Sequence, residues 1–276
     1  MTRPTLKIAT LLALALLTAG SALGQQRPPY RERPDSRDSG AQRDRRAEPG
    51  VFDYYLLALS WSPTYCADTG DRRDDPQCEP RPARPYAFVL HGLWPQFERG
   101  WPRSCRSPDR GYVPRSVADS MLDIMPSDKL VFHEYRTHGT CSGLGVDGYF
   151  QLARRLHDKV KIPRKFVGLT DDRFTIAPGE LMREFLSANP QLKPDMIAVQ
   201  CGGPGNRLRE VRICFDKGGN FRSCGPNENQ AKLCSADRMY VPPVRSGGDA
   251  TPRNRGAPPR SNGKDLLPGP RDERRL

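Results

Sequence analysis

The sequence lacks a long hydrophobic run, and it has few apolar residues and few histidines. No apolar stretch of the 276-residue chain reaches the roughly 18 residues that a membrane-spanning helix needs, which excludes an integral membrane protein. Only 36% of the residues are hydrophobic, and the chain holds 28 Pro and 25 Gly, so part of it is predicted to be unstructured. The 4 His leave few candidates for chemistry that uses an imidazole.

Motifs that mark several other enzyme classes are also missing. No C-x-x-C pair occurs, which counts against zinc ribbons and thioredoxin-like redox chemistry. No serine lies in a G-x-S-x-G sequence. The segment from His133 to His138 is not H-E-x-x-H, and two residues five positions apart on a helix lie about 140° apart, a poor geometry for two ligands of one metal. Zinc hydrolysis is therefore disfavoured.

The N-terminus has the three parts of a secretory signal peptide. A basic start with Arg3 and Lys7 precedes an apolar run over 8–17 and small residues over 19–24. We predict a signal peptide over residues 1–24, with cleavage after Gly24. The protein is therefore expected to be secreted or periplasmic.

Composition then divides the rest of the chain. Residues 25–50 contain no Ile, Leu, Val or Phe and are predicted to form a disordered linker, and residues 243–276, with their Pro and Gly, are predicted to form a disordered tail. The folded domain is predicted over 51–242. Most of the net charge of +12 lies outside this domain, so we read it mainly as solubilising charge rather than as evidence for nucleic-acid binding.

All 8 Cys lie inside the predicted domain. An even number of cysteines in an exported chain argues for four disulfides, although the sequence alone leaves the pairing open. Each bond would add about 2–4 kcal/mol to the free energy of unfolding.

Residue patterns predict both strands and helices in this domain. Strands are predicted over Val51–Ser60, Ala87–Leu90, Met196–Gln200 and Leu208–Phe215. Helices are predicted over Ser127–Arg136, with Ser127 as the N-cap, over Asp147–Val160 and over Pro178–Ser187. Because helices precede the later strands, the pattern favours an α+β fold.

Three of the four His lie in two short segments. In FVLHGLWPQ, a strand is expected to run into a Gly/Pro turn that places His91 and Trp94 where the chain leaves the core. In FHEYRTHGTC, Glu134 and His138 are four positions apart and would share a helix face, so that the carboxylate could orient the imidazole and raise its pKa. The fourth, His157, lies in a charged helix and is read as solvated surface.

Two histidines without a protein nucleophile suit the cleavage of RNA. No cysteine is left over for nucleophilic work if all eight are paired, and the ribose 2′-hydroxyl of RNA supplies its own nucleophile. One imidazole would remove that proton, and a protonated one would give a proton to the leaving 5′-oxygen. Cations and hydrogen-bond donors would stabilise the phosphorane.

At these residues the chain resembles the ribonuclease T2 family. His91-Gly92-Leu93-Trp94-Pro95 and the segment from His133-Glu134 to His138-Gly139-Thr140-Cys141 are similar to the two active-site motifs of that family. Trp61-Ser62-Pro63-Thr64-Tyr65-Cys66 and the segment Glu210–Asp216 are similar to flanking family segments. The resemblance covers about 51–236 and implies a single disulfide-stapled α+β domain whose central antiparallel sheet is packed by helices.

The resemblance also implies an activity and residue roles. The expected activity is metal-independent, largely base-nonspecific endonucleolytic cleavage of single-stranded RNA through 2′,3′-cyclic phosphates, with no cofactor. His138 resembles the general base and His91 the general acid. Glu134 resembles the residue that assists the transition state and orients the base. For substrate binding, His133 resembles a phosphate-binding histidine and Trp94 a wall on which a base stacks, although a core role for Trp94 stays open.

Two departures from the family pattern bear on charge and base preference. The family usually has Lys before the second catalytic His, where this chain has Thr137; Arg136 could substitute, or it could be a surface cation. Gln96 stands where some members have an acid, so base preference is left open.

The resemblance further implies the pairs Cys66–Cys78, Cys105–Cys141, Cys201–Cys234 and Cys214–Cys224. RNA is the expected partner, in a monomer that acts on neither DNA nor membranes. The competing hypothesis, motivated by Thr137, is a T2-like RNA-binding or effector protein with weak or no catalysis.

Overall fold

The computed structural model of the protein describes residues 48–69, 75–78 and 86–244. The predicted signal peptide, most of the linker and most of the tail lie outside the described residues. Within these ranges the six strands are β1 (Tyr54–Trp61), β2 (Phe88–Gln96), β3 (Thr175–Ile176), β4 (Ile197–Gly202), β5 (Arg207–Phe215) and β6 (Met239–Tyr240). The α-helices are α1 (Ser62–Thr69), α2 (Arg115–Asp119), α3 (Asp128–Thr137), α4 (Gly145–Lys159), α5 (Arg164–Val167), α6 (Pro178–Ala188) and α7 (Gln230–Leu233).

Four antiparallel strands form the centre of the sheet in the order β2-β1-β5-β4, and β6 pairs with β5 and β3 with β6. Helices pack on this sheet, so the predicted α+β fold with a central antiparallel sheet is confirmed. None of the helices within the described ranges has the length and apolar composition to cross a bilayer.

The two faces of the central strands differ in polarity. Leu57 pairs with Ile213 and Leu59 with Val211, and all four side chains are buried in the hydrophobic core. On the opposite face, Ala58 of β1 pairs with Arg212 and Ser60 with Glu210. We call this second side the polar face. Because side chains alternate along a strand, the apolar residues of β5 fix which face receives Glu210 and Arg212.

Each of two strands carries a β-bulge. In β2, Leu90 pairs with Leu59 and Gly92 with Ala58, so His91 has no partner residue on β1. In β5, Arg209 is the extra residue, between the pairs Leu208–Cys201 and Glu210–Gln200. A bulge bends its strand and re-aims the local side chains.

The second predicted strand is longer than its apolar residues indicate. It continues from Phe88 through the whole motif to Gln96, so the prediction of a turn at His91 and Trp94 was wrong. Gly and Pro favour turns, but β2 is an edge strand of the sheet, and proline is tolerated in an edge strand because its missing N–H can face away from the neighbouring strand.

The long helices lie close to their predicted positions. Ser127 is the N-cap of α3, but its side chain makes no capping hydrogen bond. The helix α4 begins two residues before the predicted start and buries Tyr149, Phe150, Leu152, Ala153 and Leu156. The helix α6 has proline in its first turn and buries Leu181 and Phe185 against the sheet.

Four disulfides join the pairs that the family resemblance implied. The folded part also reaches slightly beyond its predicted limits. Gly50 donates a backbone hydrogen bond to the carbonyl of Cys141, and Val244 is buried, with its amide bonded to the carbonyl of Leu169.

Candidate active site

His91 lies on the polar face at the bulge of β2, between two carboxylates. Its Nδ1 atom is 2.6 Å from Oε1 of Glu210, and its Nε2 atom is 3.6 Å from Oε1 of Glu134. Glu210 comes from β5 and Glu134 from α3, so a strand and a helix hold one imidazole from two directions.

Gly92 lets the helix α3 come close to β2. A methyl group at this position would overlap the Oε2 atom of Glu134 and the indole nitrogen of Trp94. That indole N–H donates a hydrogen bond of 2.7 Å to Oε2 of Glu134. The glycine that follows His91 in the motif is thus needed for the contact between the two motifs.

His138 lies where α3 ends. It is the C-cap of the helix, and its backbone N–H donates to the carbonyl of Glu134. The next residue, Gly139, packs so closely on Tyr135 that a side chain would overlap the ring. The Cys105–Cys141 disulfide then ties this segment to the loop that follows β2.

Trp94 contacts both imidazoles. The centroids of the His91 and His138 rings are each 5.2 Å from the Trp94 ring, so the two histidines lie within about twice that distance of each other. The guanidinium of Arg212 lies over the same indole ring, 5.5 Å from its centroid. Two histidines 47 residues apart in the chain are therefore brought to one site.

The carboxylates favour the charged form of His91. Burial by itself lowers the pKa of His91, but the hydrogen bond to Glu210 and the negative charges of Glu210 and Glu134 outweigh it, and the pKa is raised. Burial raises the pKa of Glu134 to about 7, against the opposing effects of His91 and the Trp94 hydrogen bond. Burial also acts to raise the pKa of Glu210, but His91 and Arg212 hold it below its ordinary value.

The environment of His138 is the opposite. Burial, followed by the positive charges of His91, Arg103 and His133, lowers the pKa of His138 to about 3. Its Nδ1 atom is buried and makes no hydrogen bond within the described part of the chain. His138 is therefore a neutral imidazole at neutral pH, whereas His91 favours the imidazolium.

Glu134 does not make the contact with His138 that their helical spacing predicted. Its two oxygens face His91 and Trp94, and the pKa of His138 is lowered rather than raised. The expectation that Glu134 raises the pKa of His138 was wrong, because His138 is the C-cap residue with a non-helical backbone, and burial and nearby positive charges determine its pKa.

A cavity of about 510 Å³ opens beside His91 and is also lined by the exposed His133. Its volume is within the range of ligand pockets. The other lining residues are Ser60, Tyr65, Asp75, Gln77, Val89, Ser127, Lys129 and Leu130.

Metal ligation finds no support in the side-chain arrangement. Across residues 48–69, 75–78 and 86–244, no group of three or more His, Cys, Asp or Glu side chains is arranged to hold a metal ion.

Comparison with known proteins identifies the family. The profile of the ribonuclease T2 family matches residues 52–224, which include both histidine motifs. A ribonuclease of Aeromonas hydrophila is 36% identical over 187 residues, covering 63% of this chain and 76% of the relative. The chain belongs to the ribonuclease T2 family. Its predicted class, an endoribonuclease, is confirmed by this membership.

Other T2 ribonucleases agree in sequence or in fold. Ribonuclease I of Escherichia coli is 28% identical over 202 residues, covering 59% of this chain and 75% of the relative. The crystal structure of RNase NT in complex with 5′-AMP has a TM-score of 0.52 at 24% identity and covers 70% of this chain and 98% of that chain. Trichomaglin, an S-like ribonuclease, has a TM-score of 0.56 at 22% identity and covers 70% and 99%. These two structures share the fold.

Thr137, which stands in place of the usual T2 lysine, is buried, and its carbonyl accepts a hydrogen bond from Ser104. Arg136 is exposed and packs against Gly111. It lines a separate cavity of about 570 Å³ with Arg106 and Arg110. Arg136 follows Glu134 by two positions, so it projects about 200° around the helix from it.

Sequence reasoning missed two charged residues of this T2 site, Glu210 and Arg212. They were quoted only as part of a family-like strand. Arg212 donates from Nε to Oε2 of Glu210 at 3.0 Å and from Nη2 to Gln200 at 2.7 Å. The available signal was a pair of charged residues that alternate with the buried Val211 and Ile213, since charges are rarely buried without a partner.

Proposed function

We propose that this T2 ribonuclease cleaves single-stranded RNA without a metal and with little base specificity, through a 2′,3′-cyclic phosphate, with His138 as general base and His91 as general acid. The observation that supports the assignment is that both imidazoles contact Trp94 while their surroundings shift the two pKa values in opposite directions. Two titratable groups whose surroundings move their pKa values apart are the expected acid and base of such a site.

The two imidazoles account for both proton transfers of the reaction. Neutral His138 accepts the proton of the ribose 2′-hydroxyl, and the 2′-oxygen forms a bond to phosphorus. The bond from phosphorus to the 5′-oxygen breaks, and protonated His91 gives its proton to that oxygen. Water then opens the cyclic phosphate with the roles of the two histidines reversed.

Glu134 is assigned to assist this transition state. It lies 3.6 Å from Nε2 of His91, is 1% exposed, and is held by the indole of Trp94. A buried carboxylate at this distance stabilises the imidazolium form of the acid before the proton is transferred.

The cavity beside His91 is proposed to hold the nucleotide next to the scissile bond. His133 faces the same space and would contact a phosphate oxygen. Trp94, which is half-buried at the site, would form an aromatic wall for an unstacked base.

Arg136 is proposed to bind RNA away from the scissile phosphate. It lines its cavity with two other arginines, and within the described residues none of the three side chains has a carboxylate partner. Such a group would attract a neighbouring backbone phosphate rather than replace the family lysine at position 137.

The decisive experiment incubates the purified mature protein with single-stranded RNA in EDTA and identifies the product ends. We expect cleavage with 2′,3′-cyclic phosphate products. Intact RNA that stays bound would favour the effector alternative, and activity lost in EDTA but restored by a divalent cation would indicate a metal hydrolase. Duplex DNA, which has no 2′-hydroxyl, serves as the negative substrate and should remain uncut.

Export to a periplasm or to the outside of the cell is proposed from the signal-peptide pattern and the four disulfides, which persist in oxidising compartments. The mature protein is proposed to be a monomer. Cell fractionation and N-terminal sequencing of the mature chain test the first proposal; processing at residue 24 and absence from the cytoplasm are expected. Size-exclusion chromatography with light scattering tests the second, which a stable dimer would contradict.

A further inference from the structure

The buried Glu210 forms a contact that the acid–base scheme above does not use. Its Oε1 atom is 2.6 Å from Nδ1 of His91, on the opposite side of the ring from Nε2, which faces Glu134. Ser60 of β1 pairs with Val89 on one side and with Glu210 on the other, so Glu210 reaches His91 across a small side chain.

Both partners of this hydrogen bond lie at irregular positions of the sheet. His91 is itself the extra residue of the β2 bulge, and Glu210 comes directly after Arg209, the extra residue of the β5 bulge. Bulges occur next to active sites because they re-aim a side chain. Two bulges on separate strands thus bring one carboxylate and one imidazole into contact over the polar face.

Arg212 holds Glu210 from its other side. It donates to Oε2 of Glu210 at 3.0 Å, while Gln200 and the Trp94 ring hold the guanidinium itself. Since Oε2 is occupied, Oε1 is left for His91. Against the effect of burial, His91 and then Arg212 hold the pKa of Glu210 below its ordinary value, whereas burial raises the pKa of Glu134 to about 7.

We propose that Glu210, held by Arg212, is a positioning residue that binds the Nδ1–H of His91 and so leaves the Nε2 proton as the one transferred to the leaving oxygen. The inference rests on the proposed function of His91 as general acid. A hydrogen bond from one ring nitrogen to a carboxylate fixes the tautomer and orientation of an imidazole. Glu210 does not touch the substrate in this scheme.

The charge of Glu210 also sets the pH at which His91 loses its proton. The charged and titratable groups that face His91 are Glu210 and Arg212 from β5, Glu134 from α3, His138 at the end of α3, and Asp75, Lys129 and His133 around the adjoining cavity. Of the two carboxylates in contact with the ring, only Glu210 is paired with a cation other than His91. Removing its charge should therefore make the imidazolium less stable.

The test is Glu210→Gln, which keeps the size and a hydrogen-bonding oxygen but removes the charge. We expect kcat at neutral pH to fall about 10- to 100-fold, by analogy with residues that orient a metal-bound histidine, with KM little changed. The alkaline limb of the pH profile of kcat/KM should move to lower pH, because the acid then loses its proton earlier. Glu228→Gln is the matched control, since Glu228 is a buried carboxylate that binds Tyr54, and its pH profile should match the parent.

Nitrogen-15 NMR titration of the His91 ring separates this inference from the proposed function. A lower pKa of His91 and a changed Nδ1–H signal in Glu210→Gln would support the positioning role even if the parent failed to cleave RNA. An unchanged pKa and tautomer would overturn it even if the parent were fully active. Thermal unfolding of each variant verifies the fold, and Glu210→Asp, which retains the charge on a shorter side chain, should keep the parent pKa more closely than the glutamine variant.

Discussion

The two histidines come from different kinds of structure and meet opposite surroundings. His91 lies on an edge strand between two carboxylates, whereas His138 caps a helix among positive charges, with one ring nitrogen unbonded within the described residues. The same side chain is thereby biased toward the charged form in one place and the neutral form in the other. The difference teaches that the assignment of acid and base follows from the neighbours that each element supplies, and not from the residue type.

The largest effect on activity is expected when either imidazole is removed. His91→Ala and His138→Ala should each lower kcat/KM on RNA by about 10²- to 10⁴-fold, the usual contribution of a general acid or base. Circular dichroism and thermal unfolding should show an intact fold. Near-normal turnover by either variant would refute the assignment.

Separating the two motifs without removing a histidine should have the next largest effect. The added methyl of Gly92→Ala would overlap Glu134 and Trp94, so the helix and the strand must move apart. We expect a loss of up to about 10²-fold in kcat, because an ångström of misplacement is enough for that, and a stability loss of about 1–3 kcal/mol. Gly168→Ala is the control, since a methyl there meets nothing within 4 Å. Equal effects of the two substitutions would contradict the close-packing argument.

The neutral state of His138 can be measured through stability. Its pKa is about 3 in the folded protein, against 6.5 for an unperturbed imidazole, so the unfolded chain binds more protons between these values. Its contribution to stability is complete above about pH 6.5 and is lost as the pH falls toward 3. In His138→Asn, the free energy of unfolding should therefore depend less on pH in this window, by at most about 1.4 kcal/mol per pH unit. Denaturant unfolding at several pH values measures this slope, and the same slope in parent and variant would show that His138 is not held neutral.

The smallest effect is expected for Arg136, which lies outside the surroundings of both His91 and His138. Arg136→Gln should weaken binding of long RNA several-fold and reduce the slope of log KM against log salt by about 0.7, the value for one phosphate contact on a single strand. Arg164→Gln, another exposed arginine, is the control and should leave the slope unchanged. A fall in kcat on a dinucleotide as well would place Arg136 at the scissile phosphate instead.

Local pattern was enough to predict the helices α3, α4 and α6 and the presence of the four central strands. It failed at β2, because the preference of Gly and Pro for turns is local, whereas the place of β2 at the sheet edge depends on long-range pairing. The residues His91, Glu134 and His138 could be found because two motifs contain them.

The contacts between those residues could not be predicted in the same way. Helical spacing put Glu134 with His138, but the bulge at His91 and the small Gly92 bring His91 to Glu134 instead. Glu210 and Arg212 lie more than 110 residues after His91 in the chain, and only the register of β5 on β1 shows that they meet it. Register depends on the whole sheet, so no single segment reveals it.

Pro95 lies in the edge strand β2, where it affects whether another chain can pair with the sheet. An edge strand presents unpaired backbone groups to which another chain can add as a further strand. Pro95 has no N–H to offer, and the N–H of Leu90 is already bonded to the carbonyl of Ile124. The strand that carries His91 is thus protected near both ends against growth of the sheet into aggregates, although the strand itself contains no Asp, Glu, Lys or Arg.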